Sequence, residues 1–144
     1  MNFSQKQKKE AVSFDKLPEA TQENVNKVFM IGDGRGYSYE KTHLFEAIRK
    51  KDSMRVEDLL RLGADPNLPV VAGNTALHYA SLFAGVNSGD LKKEYSRICA
   101  ILIDNGADTE LENDFGKSFA NSVRAETLRI ICDFLAVIRS YKLY

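Results

Sequence analysis

Two histidines, His43 and His78, and two cysteines, Cys99 and Cys132, are the side chains of this sequence best suited to nucleophilic or metal chemistry. With only these two histidines, no metal-ligating cluster is available. Both cysteines fall on or beside apolar helical stripes, where a reduced, buried thiol is expected. No serine or cysteine is spaced to form a nucleophile pair with His78. The run Gly32-Asp33-Gly34-Arg35-Gly36 is rich enough in glycine to close backbone amides on an anion. It lacks the Lys-Ser/Thr pair of a phosphate loop, and the preceding strand and spacing of a dinucleotide fingerprint, so it reads as a turn between elements. Neither a catalytic group nor a cofactor or metal site is expected.

The elements that must carry these residues are helices punctuated by glycine. Val56, Leu59, Leu60 and Gly63 stand at i, i+3, i+4 and i+7, one apolar face closed by a residue that tolerates positive φ. Cys99, Leu102, Ile103 and Gly106 repeat that stripe 43 residues on. Gly63-Ala64-Asp65 returns as Gly106-Ala107-Asp108, and Gly73 as Gly116. Weaker copies are Val25, Val28, Phe29 and Gly32 upstream, and Ile131, Phe134, Leu135 and Ile138 downstream. Between stripes, Asp65-Pro66-Asn67 and Gly73-Asn74 turn the chain, and Thr75 is placed to cap a new helix. Repetition of helix, hairpin-like loop and helix is the mark of a solenoid.

The run Gly73-Asn74-Thr75-Ala76-Leu77-His78-Tyr79-Ala80, followed by Gly106-Ala107-Asp108, resembles the ankyrin repeat, with Ala76 in the place of the usual proline. Thr42-His43-Leu44-Phe45-Glu46-Ala47 is a weaker copy of the same opening, with His43 in the proline slot as a partly exposed first-turn residue. Lys117-Ser118-Phe119-Ala120-Asn121-Ser122 keeps only the size pattern. Thr42 to Gly63 spans 21 residues, but Thr75 to Gly106 spans 31, which implies a ten-residue insertion near 85–94, read as a protruding loop that lengthens the helical hairpin. The resemblance implies an all-α, ankyrin-type helix-turn-helix solenoid with hairpin-like finger loops, a short N-terminal capping helix and a long C-terminal capping helix. It also implies a structural His78, bonded to the Thr75 hydroxyl and nearby loop backbone.

Residues 1–16 read as a flexible leader and 17–144 as a single domain. Within it we expect an N-terminal cap over 17–36, one repeat over 37–69, and a second over 70–112 that carries the insertion. A C-terminal capping repeat fills 113–144. Pro18 opens the expected N-terminal helix, from about 18 to 31. The C-terminal helix, about Glu126 to Ser140, turns Leu128, Ile131, Phe134, Leu135 and Ile138 inward.

Twenty Lys and Arg balance twenty Asp and Glu, which argues against a general nucleic-acid or anionic-membrane binder. No apolar core of a signal peptide follows Met1, and the most apolar run, Leu128 to Ile138, is too short to span a bilayer. A cytoplasmic location is expected, with delivery into another cell by a specialised secretion system left open.

The resemblance implies a non-enzymatic protein-interaction module working through its fingers and a concave face. The candidate contact residues on the fingers are Val70, Val71, Asn74, Phe115 and Lys117, because an apolar run at a hairpin tip suggests a contact. On the concave face they are Arg49, Lys50, Leu82, Phe83 and Arg124, a greasy centre flanked by positive charge. The partner expected is another protein, with an acidic surface around an apolar knob, bound by one copy of this chain. Adaptor, inhibitor of one enzyme and secreted effector in a host cell are the roles open to such a module.

Overall fold

The computed structural model describes residues 10–12, 17–32 and 34–142. Helices begin where a short polar side chain can satisfy the first free amides. The Thr42 hydroxyl accepts from the Phe45 amide at 3.1 Å and opens α1 (His43–Arg49). The Asp52 carboxylate accepts from the Arg55 amide at 3.0 Å and opens α2 (Ser53–Leu62), which stops at Gly63 in the left-handed region. A single 3-10 turn (Val71–Gly73) leads to α3 (Ala76–Val86) and α4 (Gly89–Asp104). Ser118 opens the one-turn α5 (Phe119–Ser122), and α6 (Ala125–Tyr141) follows two residues later.

The helices pair in sequence, α1 with α2 and α3 with α4, and the pairs stack with α1 on α3 and with α2, α4 and α6 in a row. Val56, Leu59, Leu77, Ala80, Ile98, Leu102 and Ile131 fill the space between them and are fully buried. These are largely the stripe positions read from the sequence, and each helix hides its neighbour's apolar face. An aromatic row, Phe45, Tyr79, Phe83 and Tyr95, runs through α1, α3 and α4 with centroid separations of 4.6, 6.3 and 5.1 Å. Among the described residues no helix is long and apolar enough to cross a membrane.

Two asparagines clasp the stack. Asn67 donates from Nδ2 to the Gly106 carbonyl (3.0 Å) and accepts at Oδ1 from the Asp108 amide (2.7 Å). Asn26 does the same to Gly63 and Asp65, at 2.9 and 2.7 Å. Asn26 therefore occupies the register of Asn67, so the upstream copy lies earlier in the chain than an alignment on Gly32 implies.

That shift corrects several expectations. The segment expected as a helix from 18 to 31 is a turn followed by β2 (Phe29–Gly32), which pairs antiparallel with β3 (Ser38–Lys41). The turn is locked by reciprocal bonds, Asn24 accepting from the Thr21 amide and Thr21 from the Asn24 amide. Phe29 and Ile31 are buried while Met30 and Gly32 are half-buried, a period of two that suits a strand. The fold is mostly helical, as the expected helix-turn-helix solenoid requires, and the expected N-terminal capping helix is replaced by a small sheet. Part of the expected leader also belongs to the sheet, because β1 (Glu10–Val12) pairs parallel with β2. The remaining leader residues, 1–9 and 13–16, lie outside the described residues. A strand does precede the glycine-rich run, but the next strand returns antiparallel, so the run is a hairpin tip; Asp33 is outside the described residues.

The insertion is not a loop. It is absorbed as extra helix, giving α3 11 residues and α4 16, joined only by Asn87 and Ser88. In α6, Thr127 rather than Leu128 points inward: Thr127 is 1% exposed and Leu128 39%.

Candidate functional site

Glycine and asparagine in the two C-terminal fingers bring their backbones together. Gly73, at φ 72°, lets the second finger approach the third so closely that an added Cβ would stand 2.6 Å from the Asp114 carboxylate. The Asp114 amide donates to the Ala72 carbonyl at 2.9 Å, and Asn113 Nδ2 donates to Asn74 Oδ1 at 2.9 Å. His78 joins the same network. Its Nδ1 accepts from the Thr75 amide at 3.0 Å, so the ring proton sits on Nε2, which donates to the Lys117 carbonyl at 2.8 Å. Both ring nitrogens of His78 are thereby committed to holding the third finger against α3.

Beside this network runs a groove of about 400 Å³. One wall is a face of α3 spaced i, i+3, i+4, i+7, i+8, namely His78, Ser81, Leu82, Gly85 and Val86. The other wall is the junction of α5 and α6, with Ser122, Val123, Arg124 and Thr127, and Asn74, Asn113 and Lys117 close the finger end. Leu82 is 57% and Val86 68% exposed. Among the described residues no carboxylate lines the groove, while Lys117 and Arg124 bring two cations to it. Behind it, Lys92 is buried and donates to the Ala84 carbonyl (2.8 Å) and Thr127 Oγ1 (3.3 Å), both neutral.

The residues expected on the fingers and on the concave face are divided differently. Asn74, Leu82, Lys117 and Arg124 line this groove. Phe83 turns away into the aromatic row and packs on the core, because the residue after an exposed helical position lies about 100° round the axis. Val71 and Phe115 are exposed at adjacent fingertips, while Val70 is half-buried by the turn in which it accepts from the Gly73 amide.

Arg49 and Lys50 are exposed but stand apart from the groove, both drawn to Glu46. Lys41 reaches the same carboxylate at 2.6 Å. Burial alone would raise the Glu46 carboxyl, but hydrogen bonds and charge from Arg49 and Lys41 outweigh it and hold the group down at about 2. Three cations share that one carboxylate, so these four groups keep a net positive charge, with Arg49 and Lys41 held most closely. His43, expected to be partly exposed, is buried, with Nε2 2.6 Å from the Pro18 carbonyl and its ring edge-on to Phe29. The strand that replaces the expected helix is what covers it.

Sequence reasoning missed Gly85, Val86 and Lys92, which lie in or beside the insertion, and Glu46, a carboxylate at i−3 and i−4 from two cations. Spacing alone reveals the second; the first three become visible only once the insertion is known to be helical.

Comparison with known proteins bears on what this groove belongs to. The ankyrin repeat family model matches residues 72–114. Among solved structures the chain is similar to the ankyrin repeat domain of Bcl-3, described as a unique member of the IkappaB protein family, with 27% identity and a TM-score of 0.50. That similarity covers 72% of this chain and 42% of the other, so the chain spans less than half the length of its structural neighbour. No curated protein matches.

Proposed function

Because the chain carries an ankyrin repeat within an ankyrin-like stack, we propose that it is a protein-interaction module that presents a concave face and finger loops to a protein partner. The observation that carries this reading is the exposure of Leu82 and Val86 on the inner helix of a tightly clasped frame. Apolar side chains held rigidly in the open lose little ordering entropy when a partner covers them. The module is read as non-enzymatic and as acting as a single copy in the cytoplasm, on a protein whose acidic surface surrounds an apolar side chain. The commitment of both His78 nitrogens to backbone groups supports the non-enzymatic part, since neither is free to move a proton.

Affinity capture from native lysate with the wild-type chain and with Leu82→Glu tests the proposal. We expect a partner retained by the wild type and lost by the variant, at an unchanged melting transition. Retention by both refutes the concave-face assignment. Recovery of one stoichiometric enzyme, silenced on binding, identifies an inhibitor; recovery of several unrelated proteins identifies an adaptor.

A further inference from the structure

Two departures from a regular repeat meet at one place. The insertion adds helix to α3 and α4, carrying Val86 and Lys92 beyond the reach of an ordinary pair. The last inner helix, α5, stops after a single turn at Ser122. Where further turns of α5 would lie along α3, the Leu82–Val86 face is left uncovered, and that vacancy is the groove. A lengthened wall beside a shortened one makes a site that neither change makes alone.

The charge that lines the site is one-sided. Lys117 and Arg124 line it, Lys92 stands behind it on Thr127, and none of the three takes part in an ion pair among those found in the described residues. Lys92 keeps its neutral acceptors because the last carbonyls of α3, Ala84 among them, favour a cation. Resting on the interaction reading above, we propose that this groove is the specific seat for a partner segment carrying a branched or aromatic apolar side chain flanked by Asp or Glu. The apolar group covers Leu82 and Val86, and the carboxylates face Arg124 and Lys117 over the buried positive charge of Lys92. The insertion is then the element that sets partner choice, and the Arg49–Lys50 end, which lines no part of the groove, contributes little to it.

The test uses the full chain and a displayed library of short random peptides, selected on wild type, on Lys117→Glu/Arg124→Glu and on Leu82→Glu, with melting transitions compared first. The wild type is expected to enrich peptides with Asp or Glu beside Leu, Ile or Phe. A synthetic consensus peptide should bind the charge-reversed pair at least about tenfold more weakly, and wild type more weakly as salt rises. If charge reversal lowers the melting transition, Lys117→Ala/Arg124→Ala takes its place, with a smaller loss expected. Enrichment of neutral or basic peptides, no enrichment, or equal binding by the charge-altered pair overturns the proposal. A lysate partner lost by Leu82→Glu but kept by the charge-altered pair leaves the interaction module standing and removes only the acidic specificity.

Discussion

Replacing Asn67 by alanine removes two hydrogen bonds and little else, which makes its cost calculable. The side chain is half-buried and joins two loops through one donor and one acceptor, at 3.0 and 2.7 Å. Each neutral bond contributes about 1 kcal/mol net. Gly106 and Asp108 are exposed, so their freed carbonyl and amide reach water and no further desolvation cost is added. Asn67→Ala should therefore lower stability by about 2 kcal/mol, read in urea as a lower midpoint with an unchanged slope. Asn26→Ala should cost the same, because it makes the same pair of bonds at 2.9 and 2.7 Å. The double variant should lose about 4 kcal/mol, any departure from the sum measuring coupling through Asp65, whose amide bonds to Asn26 and whose carboxylate accepts from the Asn67 amide. Asn67→Asp keeps the acceptor but turns a carboxylate oxygen onto the Gly106 carbonyl, so it should cost more than half the alanine value. An Asn67→Ala midpoint within about 0.5 kcal/mol of wild type refutes the claim that these clasps bind successive repeats.

Three further outcomes are expected. Gly73 and Gly116 share φ 72°, but an added Cβ meets the Asp114 carboxylate at 2.6 Å in the first case and nothing nearer than 3.8 Å in the second. Gly73→Ala should therefore cost about 1 kcal/mol more than Gly116→Ala in the same unfolding assay. Glu46→Gln should destabilise the fold by about 1 kcal/mol at neutral pH, after allowance for solvent screening. Because the folded carboxyl is depressed from 4.5 to about 2, this stabilisation is complete above 4.5 and fades as pH falls toward 2. The difference between wild type and variant in pH-dependent melting should shrink over that interval. Cys132 is exposed while Cys99 is buried with its thiol pushed up by burial, so a thiol reagent should label one cysteine quickly in the folded chain and the second only on unfolding.

The middle of the molecule was legible because its signals are local. Gly63 and Gly106 end helices, Thr75 opens one, and the stripes before each glycine are the buried faces. The His78 network was equally readable from its Thr-x-x-His opening, down to the bonds with Thr75 and a neighbouring loop. The N-terminal segment failed because Val25, Val28 and Phe29 fit a helical spacing while Phe29-Met30-Ile31 fits a strand, and only pairing with residues 38–41 decides between them. The groove failed for a related reason. Leu82 and Phe83 are adjacent in sequence, and choosing which one faces outward requires the position of α4, which covers Phe83 and not Leu82. The positive charge at Arg49 and Lys50 was visible, but their pairing with Glu46 depends on side-chain directions that composition does not carry.

The clasp made by Asn26 and Asn67 has a chemically different counterpart in the third finger. Two residues past Asp65 stands Asn67, and two past Asp108 stands Glu110, whose backbone amide bonds to Asp108 just as that of Asn67 bonds to Asp65. A carboxylate there has no N–H to offer a following carbonyl, so the hook that would fasten another unit is missing its donor. Asn26 and Asn67 each grip the next loop through a donor and an acceptor, whereas Glu110 at the equivalent position can only accept, and Glu110→Asn is the smallest edit that supplies the missing donor.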